Sequence, residues 1–537
     1  MTRATPEWIV PTPTTTMWEL IDRRAGLDPR GLMLIDEQGR TETFGGFRDR
    51  AERVAAGLYR AGVKEGTPVS WQLPTRIDTI VLSAGLCRLG AVQNPIIHLY
   101  RDREVGFAIR QTDARFLVIP GVWRDFDYPA LAKRVSEDLT DPPIVVIADE
   151  GLPEGDPASL PAPPSLPSSP AETRAPVRWI YYTSGSTADP KGVCHTDQSL
   201  IAGGWGLANA LDMSRDDVGL VAFPYAHIGG ADYLVTVMVL GFPAVLVEAF
   251  SAPDVLPLLR RHQVTMVGGS TAFYIAFLAE QRAHPERSVL PSLRLMSGGG
   301  APKPPELHFE VKREIGGRGI VHGYGMTEVP MITSGSPHDT DEQLANTDGK
   351  PVVGADVRVV KLDGSVAGPE EEGEIRVKGP MVFRGYTDPS LTAEAFDADG
   401  YFRTGDLGRM REDGHVTLTG RLKDVIVRKG ENISAKEIED LLYTHPKVED
   451  VAVIGLPDPQ RGERVCAVVQ LAGQVEANPL TFEEMATYCR DAGLMVQKVP
   501  EQLELRSEMP RAATGKIVKT KLRDEYAGRP WRAQQEQ

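Results

Sequence analysis

Apolar residues in the first four hundred positions follow two alternating patterns. The segment 44–60 repeats apolar residues every three to four positions, which predicts a helix, and 68–73 is a short apolar run typical of a strand. The same alternation predicts further elements, helix and strand in turn, at 77–89, 91–95, 102–111 and 115–119. Helices between successive strands predict a parallel sheet with helices on both faces.

The stretch 151–176 interrupts this alternation. Prolines separated by serine, alanine and glycine occupy it. Because proline lacks a backbone donor, we predict an exposed linker without regular elements. Beyond it the alternation resumes, with helices predicted at 197–211, 230–240, 253–262, 271–282 and 304–315 and strands at 219–223, 244–247, 264–267, 294–297 and 319–322.

Short β-like pieces separated by glycine occupy 352–418 and predict a small antiparallel subdomain. A compact α+β segment follows, in which Ser434 and Glu437 have the capping-box spacing of a helix start. The predicted fold class is therefore α/β. It comprises a large N-terminal domain of doubly wound sheets with the antiparallel subdomain, at 1–422, and a small mobile α+β domain at 423–537.

Composition narrows the function classes. A chain of 537 residues exceeds what one core supports, and a net charge of -15 disfavours nucleic acid and anionic membrane surfaces as partners. The cysteines are far apart, which suggests neither a zinc site nor a disulfide framework. The chain shows no apolar leader and no apolar run long enough to span a membrane, so a cytoplasmic location without an integral membrane segment is expected.

A polar stretch lies between two strand-like runs at 179–182 and 193–195. It contains Thr183, Ser184, Gly185, Ser186 and Thr187, followed by Pro190-Lys191-Gly192. Hydroxyl groups, exposed backbone N–H groups and one lysine on a hairpin tip can hold phosphate. A Walker A loop is excluded because a strand, not a helix, follows the lysine. An ordinary surface turn has a similar composition, so the tip alone leaves both interpretations open.

Five further stretches follow the tip in order. They are Phe-Pro-Tyr-Ala-His-Ile-Gly-Gly at 223–230, Ser-Gly-Gly-Gly-Ala-Pro at 297–302, His-Gly-Tyr-Gly-Met-Thr-Glu at 322–328, Tyr-Phe-Arg-Thr-Gly-Asp at 401–406 with Gly-Arg-Leu-Lys-Asp-Val-Ile-Val-Arg-Lys-Gly-Glu-Asn-Ile at 420–433, and Pro-Arg-Ala-Ala-Thr-Gly-Lys at 510–516. In this order the motifs resemble the adenylate-forming superfamily of acyl-CoA synthetases, peptide-synthetase adenylation domains and beetle luciferases. The likeness covers nearly the whole chain.

The resemblance implies an ATP site and a Mg²⁺ site. In it Asp406 accepts the ribose hydroxyls, Arg421 reinforces that contact and Tyr324 stacks on adenine. Glu328, with Thr187, is expected to bind the metal. The full ATP-binding set implied is Thr183, Ser184, Gly185, Ser186, Thr187, Lys191, Gly299, Gly300, Ala301, Tyr324, Gly325, Met326, Thr327, Asp406, Arg421 and Lys516.

The resemblance also assigns chemistry to single residues. Lys516 is expected to bridge the attacking carboxylate and the α-phosphate, so its loss should affect the first half-reaction more than ATP binding. His227, the third expected catalytic residue beside Lys516 and Glu328, lies between acid and adenylate. The remaining assignments are His227, Trp205, Gly299 and Gly300 for the acyl group, Lys423 for a hinge, and Gly430 and Glu431 for the CoA side.

Each of these residues has a plainer interpretation. A lysine in a Thr-Gly-Lys turn is usually a solvated charge, and Glu328 alone could be a carboxylate at the start of a helix. His227 could be a buried structural histidine. Trp205, Phe273 and Tyr274 lie on predicted helices, where aromatic residues more often belong to the core.

The implied activity is that of an ATP-dependent carboxylic acid–CoA ligase, with acid, ATP and CoA as small-molecule partners and a homodimer as the default assembly. The stretch from Asn94 to His98 resembles ligases of medium-chain, alicyclic or steroid-derived acids. The alternatives are an adenylating enzyme that loads a separate carrier protein, a luciferase-type oxidase and a non-catalytic nucleotide-binding module.

Overall fold

The computed structural model describes residues 8–137, 139–166, 175–183, 190–301, 303–429, 431–472, 479–511 and 516–529. Its α-helices are α1 Met17–Leu27, α2 Phe44–Arg60, α3 Ile77–Leu89, α4 Asp102–Thr112, α5 Tyr128–Ser136, α6 Asp197–Ala210, α7 Ile228–Leu240, α8 Ala252–Arg261, α9 Thr271–Ala283, α10 Pro305–Glu314, α11 Asp341–Asn346, α12 Pro389–Ala395, α13 Ala435–Tyr443, α14 Phe482–Asp491 and α15 Lys519–Tyr526.

The strands alternate with these helices and then dominate the second half. They are β1 Leu32–Ile35, β2 Thr41–Thr43, β3 Pro68–Trp71, β4 Val92–Pro95, β5 Phe116–Ile119, β6 Val122–Trp123, β7 Phe126–Asp127, β8 Ile144–Ile147, β9 Trp179–Thr183, β10 Lys191–His195, β11 Gly219–Val221, β12 Ala244–Leu246, β13 Met266–Gly269, β14 Leu295–Gly298, β15 Ile320–Met326, β16 Val329–Ser334, β17 Lys350–Pro351, β18 Asp356–Val360, β19 Gly373–Lys378, β20 Gly385–Tyr386, β21 Phe402–Met410, β22 Val416–Arg421, β23 Ile426–Arg428, β24 Glu431–Ile433, β25 Val448–Asp458, β26 Gly462–Leu471 and β27 Gln502–Arg506.

Two large sheets form the N-terminal domain. One has the strand order β17-β16-β15-β14-β13-β11-β12-β1-β2 and the other β20-β10-β9-β4-β3-β5-β8. Their central pairs, such as β13 with β14 and β3 with β4, are parallel. Helices α3 and α7 are almost entirely buried, which places them between layers, as in doubly wound folds. The predicted α/β class with a large N-terminal domain is confirmed.

Two smaller sheets complete the chain. Strands β18, β19, β21 and β22 form the predicted antiparallel subdomain. In the C-terminal domain β24, β23, β26 and β25 form a sheet, with β27 parallel to β26. The 3₁₀ turn Leu422–Asp424 joins these two sheets. The domain boundary at 422 and 423 falls in this turn and stays a prediction.

Several local expectations were wrong. The predicted parallel sheets are mixed, because the hairpins β1–β2 and β15–β16 add antiparallel strands at the edges of the first sheet. The stretch 151–176 is not free of regular structure, since it contains the 3₁₀ turn Pro157–Ser159. It also packs on α2, where a Cβ on Gly57 would lie 2.2 Å from the carbonyl oxygen of Pro153. The hairpin β23–β24 and helix α15 were not predicted.

In the described part of the chain, no helix combines the length and the apolar character needed to cross a membrane. The apolar helices are short and lie inside the protein, where neighbouring layers bury them.

A buried carboxylate ties the start of the chain to the second large sheet. Asp197, the first residue of α6, accepts hydrogen bonds from the Met17 backbone N–H and the Trp179 indole N–H, both at 2.9 Å. All three groups are buried. Because a buried donor without a partner is costly, this carboxylate stabilises the junction of α1, α6 and β9.

We therefore expect Asp197→Ala to lower the free energy of unfolding by roughly 3 kcal/mol, since two buried donors lose their acceptor. Urea denaturation followed by circular dichroism measures the change. The control is Asp127→Ala, which removes an exposed helix cap that accepts the Ala130 N–H and should cost only about 1 kcal/mol. Equal losses in the two variants would contradict a special role for the buried junction.

Candidate active site

Asp406 is the centre of the cleft between the two domains. Its neighbour in the β21–β22 register is Arg421, and Arg421 Nε lies 2.7 Å from Asp406 Oδ1. On the other side, the Tyr324 hydroxyl donates a 2.8 Å hydrogen bond to Asp406 Oδ2. Burial and the adjacent Asp406 charge raise the pKa of Tyr324, so the phenol remains a donor. Three strands from two sheets thus fix one carboxylate.

Glu328 lies in the turn between β15 and β16, so its interpretation as a helix-start carboxylate is wrong. Its backbone carbonyl accepts a 2.9 Å hydrogen bond from the Phe383 N–H, and Oε1 accepts one of 2.8 Å from the Tyr386 hydroxyl. The other carboxylate oxygen has no hydrogen bond to a described residue. Burial, then the Glu328 charge, raises the pKa of Tyr386.

The two strands that flank the polar tip are present and pair as predicted. Strands β9 and β10 are antiparallel, with Thr183 opposite Lys191. The Lys191 ammonium lies 5.0 Å from the centroid of the Tyr386 ring, and Tyr386 in turn contacts Glu328. The flank of the tip is therefore connected to the Glu328 carboxylate. The predicted phosphate-binding residues Ser184, Gly185, Ser186 and Thr187 lie outside the described residues.

The glycine-rich loop after β14 needs glycine because it packs on neighbouring backbone. A Cβ on Gly299 would lie 2.4 Å from the Gly323 carbonyl oxygen, closer than side chains approach. Gly300 has φ of +80°, and a Cβ there would lie 3.8 Å from Cε of Lys516. Ala301, the next residue of the loop, is half-buried. This loop therefore contacts the C-terminal domain directly.

The remaining members of the predicted ATP set, Gly325, Met326 and Thr327, lie at the end of β15 and in its turn. A Cβ on Gly325 would lie 2.1 Å from the Pro330 carbonyl oxygen, so this position also requires glycine. The carbonyl of Thr327 accepts a 2.7 Å hydrogen bond from His195 Nε2. Burial lowers the pKa of His195 to about 4, so a neutral ring holds the residue next to Glu328.

Lys516 reaches this cleft from the C-terminal domain. Burial is the main reason that the pKa of Lys516 is lowered to about 8, and the positive charge of Arg421 lowers it further. The negative charges of Asp406 and Glu328 raise it. The residue is exposed to the solvent of the cleft, yet the charges of Arg421, Asp406 and Glu328 act on its ammonium. The solvated-charge interpretation is therefore incomplete, since Lys516 interacts with both carboxylates.

His227 lies on the other side of Lys516, at the N-cap of α7. Its Nδ1 accepts a 3.2 Å hydrogen bond from the Gly229 N–H. Removal from water, then the positive charge of Lys516, lowers the pKa of His227 to about 4. The imidazole is therefore neutral near pH 7, and it combines a structural cap with a position next to the lysine.

The structure places the other predicted residues less directly. Lys423 is in the turn between the domains. Burial and the positive charge of Arg421 lower its pKa, and the negative charge of Asp424 raises it. Glu431 is exposed on β24, opposite Arg428, and Gly430 lies outside the described residues. Trp205 is half-buried and packs edge-on against the exposed Trp8, with the two ring centroids 5.8 Å apart, beside the buried residues of α6 and α7.

Aromatic residues of α9 belong mainly to the core, as the plainer interpretation holds. Tyr274 is fully buried, and a Cβ on Gly298 would lie 2.5 Å from its hydroxyl oxygen. Phe273 packs against Phe250 with ring centroids 4.1 Å apart. The Tyr274 hydroxyl thus packs against Gly298 at the end of β14. Their contribution to an acyl pocket stays a prediction.

Tyr386, His195 and Lys303 were not singled out from the sequence. Tyr386 belongs to a two-residue strand with no motif around it, and its role follows only from the pairing of β20 with β10. His195 ends β10, and Lys303 follows the glycine-rich loop. Proximity to the motifs was the only sequence signal for the last two residues.

The donor set at Glu328 fits Mg²⁺. Within the described residues, no group of three or more His, Cys, Asp or Glu side chains converges, and Glu328 offers one carboxylate with one oxygen already engaged by Tyr386. Mg²⁺ retains several waters and takes one or two carboxylates together with substrate phosphates. Glu328 is the described residue that would hold such an ion.

Comparisons with known proteins agree with this geometry. The sequence model of the AMP-binding enzyme family matches residues 21–387, and that of the AMP-binding enzyme C-terminal domain matches 437–516. The chain belongs to the AMP-binding enzymes. It is thus a member of the adenylate-forming superfamily, and its class of activity is that of an AMP-forming acid ligase.

Individual AMP-binding enzymes align along most of the chain. A salicyl-AMP ligase / salicyl-S-ArCP synthetase of Mycobacterium tuberculosis is 34% identical over 88% of this chain and 83% of its own length. A medium-chain fatty-acid–CoA ligase of Escherichia coli is 30% identical over 93% of this chain and 88% of its own. The o-succinylbenzoate CoA synthetase of Bacillus subtilis in complex with ATP and magnesium superposes with a TM-score of 0.81 at 28% identity, covering 95% and 99% of the two chains.

If Asp406 holds the ribose in this AMP-binding enzyme, Tyr324→Phe should raise the KM for ATP by about tenfold. The substitution removes the hydrogen bond from the phenol to the charged Asp406 carboxylate, and a hydrogen bond to a charged group contributes roughly 1.5 kcal/mol or more. The orientation of Asp406 is then less fixed. Steady-state pyrophosphate release at varied ATP measures this change. The matched control, Tyr401→Phe, removes a hydroxyl that donates to Asp356 on the same subdomain and should leave the KM unchanged. An unchanged KM in Tyr324→Phe would contradict the assignment.

Proposed function

We propose that this protein is an ATP-dependent carboxylic acid–CoA ligase that acts in two steps, on a medium-chain, alicyclic or steroid-derived acid. The observation that carries the proposal is the position of Lys516, whose charge interacts with Asp406 and Glu328 in one cleft. A separate domain brings this lysine to Asp406, the expected ribose-binding carboxylate, and to Glu328, the expected metal-binding carboxylate. Such an arrangement suits acyl adenylation. The relative named as a medium-chain fatty-acid–CoA ligase supports the choice of CoA as the thiol.

In the proposed first step, ATP lies with its ribose hydroxyls on Asp406 and its phosphates near Thr183 and Lys191. Mg²⁺, when bound near Glu328, would neutralise phosphate charge. A carboxylate oxygen of the acid forms a bond to the α-phosphorus, the bond from the α-phosphorus to the bridging oxygen of pyrophosphate breaks, and pyrophosphate leaves. Lys516 stabilises the charge that develops between the carboxylate and the α-phosphate.

In the proposed second step, the thiol sulfur of CoA attacks the acyl carbonyl carbon. The carbon–sulfur bond forms, the carbon–oxygen bond to AMP breaks, and the thiol proton passes to solvent. In this proposal Lys516 serves only the first step and is withdrawn before the thiol arrives. Rotation of the C-terminal domain about the turn at Lys423 would withdraw it and bring Glu431 towards the CoA side.

Loading of a separate carrier protein is the second candidate, and a specific observation favours it. The relative with 34% identity is named for both a salicyl-AMP and a salicyl-carrier activity. The chemistry of the first step is the same in the two candidates, so the described cleft suits both. They differ in the thiol that receives the acyl group.

A substrate panel tests the proposal. Acid-dependent pyrophosphate release is measured with octanoate, cyclohexanecarboxylate, cholate, salicylate and an amino acid mixture, followed by AMP release with CoA or with a carrier protein. We expect the largest rates among the first three acids, with AMP release that depends on CoA. Strict preference for salicylate with a carrier protein would favour the second candidate. Absence of pyrophosphate release with every acid would indicate a non-catalytic nucleotide-binding protein.

The pH dependence tests the role of Lys516. Its pKa is lowered to about 8, so the charged form is present below that pH and lost above it. We expect kcat/KM of the adenylation step to fall above about pH 8, and kcat to fall at higher pH, because the bound triphosphate favours the charged lysine. Stopped-flow or exchange assays between pH 6 and 10 follow both parameters.

Substitution of Lys516 by arginine tests whether Lys516 causes the fall in rate above pH 8, which is the alkaline limb of the pH profile. Lys303 also has a pKa of about 8, so a limb near pH 8 alone would not identify the group. In Lys516→Arg the cation does not titrate in this range, so the alkaline limb should disappear even though the rate is lower. The control Lys521→Arg, at an exposed lysine of α15, should retain the limb. A limb that persists in Lys516→Arg would contradict the assignment.

A further inference from the structure

One buried threonine joins the two large sheets beside His227. Thr75 lies between β3 of the second sheet and helix α3, and it is 1% exposed. Its hydroxyl donates a 3.0 Å hydrogen bond to the carbonyl oxygen of Phe223 and accepts one of 3.0 Å from the backbone N–H of Tyr225. Both partners follow β11 of the first sheet. A single side chain thus satisfies two backbone groups that lie 148 and 150 residues away in the chain.

A pair of stacked rings reinforces this connection. The ring of Tyr225 stacks on the indole of Trp71, with ring centroids 6.0 Å apart and an angle of 18° between the planes. Trp71 ends β3 and is fully buried, and Tyr225 is buried as well. Aromatic pairs of this kind stabilise a contact beyond the area that they bury. The segment from Trp71 to Thr75 therefore holds Phe223 and Tyr225 by two hydrogen bonds and one ring contact.

The segment held in this way leads directly into His227. We call residues 223–227 the histidine loop. Within it, the His227 N–H donates a 2.9 Å hydrogen bond to the carbonyl oxygen of Pro224, and Thr75 binds the first and third residues of the loop. Because the loop is a short turn, the backbone of His227 takes its position from the contacts with Thr75.

The histidine loop ends in a defined tautomer of His227. Nδ1 accepts a 3.2 Å hydrogen bond from the Gly229 N–H. Removal from water lowers the pKa of His227 to about 4, so the ring is neutral near pH 7. A neutral imidazole whose Nδ1 is an acceptor carries its proton on Nε2. The Nε2–H is therefore the donor that His227 can offer to a carboxylate oxygen of an acid.

An accessible surface lies beside this imidazole. A Cβ on Gly229 would lie 3.5 Å from His227 Nδ1 and 3.6 Å from Cε2 of Phe223, so both rings border the same glycine. These three residues are half-buried, whereas most of α7 is buried. An acid bound at this surface would contact both rings, and the histidine loop carries both of them.

We propose that Thr75 is a positioning residue for the acid, which holds the histidine loop so that the Nε2–H of His227 meets a carboxylate oxygen. Thr75 itself touches no reacting atom. The link to the acid rests on the proposed function, whereas the fixation of the loop by Thr75 does not. Loss of the hydroxyl should therefore weaken the use of the acid. The use of ATP should be nearly unchanged, because Asp406 lies on β21 and Glu328 follows β15.

Substitutions of Thr75 separate the hydroxyl from the shape of the side chain. Thr75→Val retains the shape but offers neither a donor nor an acceptor, so both backbone groups lose their partner. Thr75→Ser retains the hydroxyl and should restore both hydrogen bonds. Thr75→Ala removes the hydroxyl with a smaller side chain and provides a second test if the valine variant folds poorly.

Thr236→Val serves as the matched control. Thr236 is fully buried on α7, the helix that His227 caps, and its hydroxyl donates a 2.7 Å hydrogen bond to the Tyr233 carbonyl oxygen. The control therefore also loses one buried hydroxyl, but the hydrogen bond that disappears lies within the helix. We expect a small loss of stability and no change in the KM for either substrate.

Three quantities are compared among these variants. Pyrophosphate exchange with the most active acid of the panel gives the KM for the acid and the KM for ATP. We expect Thr75→Val to raise the KM for the acid roughly tenfold and to change that for ATP by less than about twofold, because a small misplacement of a binding group is costly. Hydrogen exchange in the peptide covering 224–229 should become roughly tenfold faster, since the Tyr225 N–H loses its acceptor. Thr75→Ser should match the unsubstituted protein in all three.

A double-mutant cycle tests whether Thr75 acts through His227. His227→Asn removes the Nε2–H, and asparagine is a favoured N-cap residue, so the start of α7 remains capped. In this background Thr75→Val should have little further effect on the KM for the acid, because residues that share one contact have non-additive effects. Full additivity would mean that the two side chains act independently, and it would overturn the proposal.

The remaining outcomes also decide the proposal. An unchanged KM for the acid in Thr75→Val would overturn the positioning role, and unchanged hydrogen exchange would overturn the fixation of the histidine loop. Equal increases in both KM values would overturn the positioning role as well and indicate a general structural effect. If the unsubstituted protein shows no pyrophosphate exchange with any acid, the proposed function fails, while faster hydrogen exchange in Thr75→Val would still support the fixation of the loop.

Discussion

The carboxylate of Asp406 is the interaction on which the cleft depends. Tyr324 from the first large sheet and Arg421 from the antiparallel subdomain hold this carboxylate. Its negative charge also acts on Lys516, which belongs to the C-terminal domain. Because a buried carboxylate needs donors and a countercharge, the position of Asp406 constrains the relative placement of all three.

Lys516 experiences opposing influences that suit a group used in one step only. Desolvation and the charge of Arg421 favour the neutral amine, whereas Asp406 and Glu328 favour the ammonium. A bound triphosphate would shift this balance towards the charged form. Lys516 is therefore held most strongly when the nucleotide is bound. In the proposed reaction, the C-terminal domain that carries Lys516 can rotate away at a modest cost in free energy once pyrophosphate has left with its negative charge.

Charged groups take part in the contact between the domains. Arg523 on α15 pairs with Asp424 in the turn that joins the two domains. Interfaces between domains of one chain are commonly more polar than permanent interfaces, because charges can be solvated again after separation. A polar contact of this kind suits the rotation that the proposed two-step reaction needs.

The sequence by itself determined the α/β class, the positions of most helices, the hairpin with its polar tip and the order of the motifs. Local periodicity and turn residues carry this information, and Asp406 and Arg421 were identified from motifs alone. Only the tertiary structure decided that Tyr386 contacts Glu328, that 151–166 packs on α2, and that the edges of the first sheet are antiparallel. The first two contacts join residues far apart in the chain, so no local pattern encodes them. The antiparallel edges are short hairpins, and their place in the sheet depends on strand order.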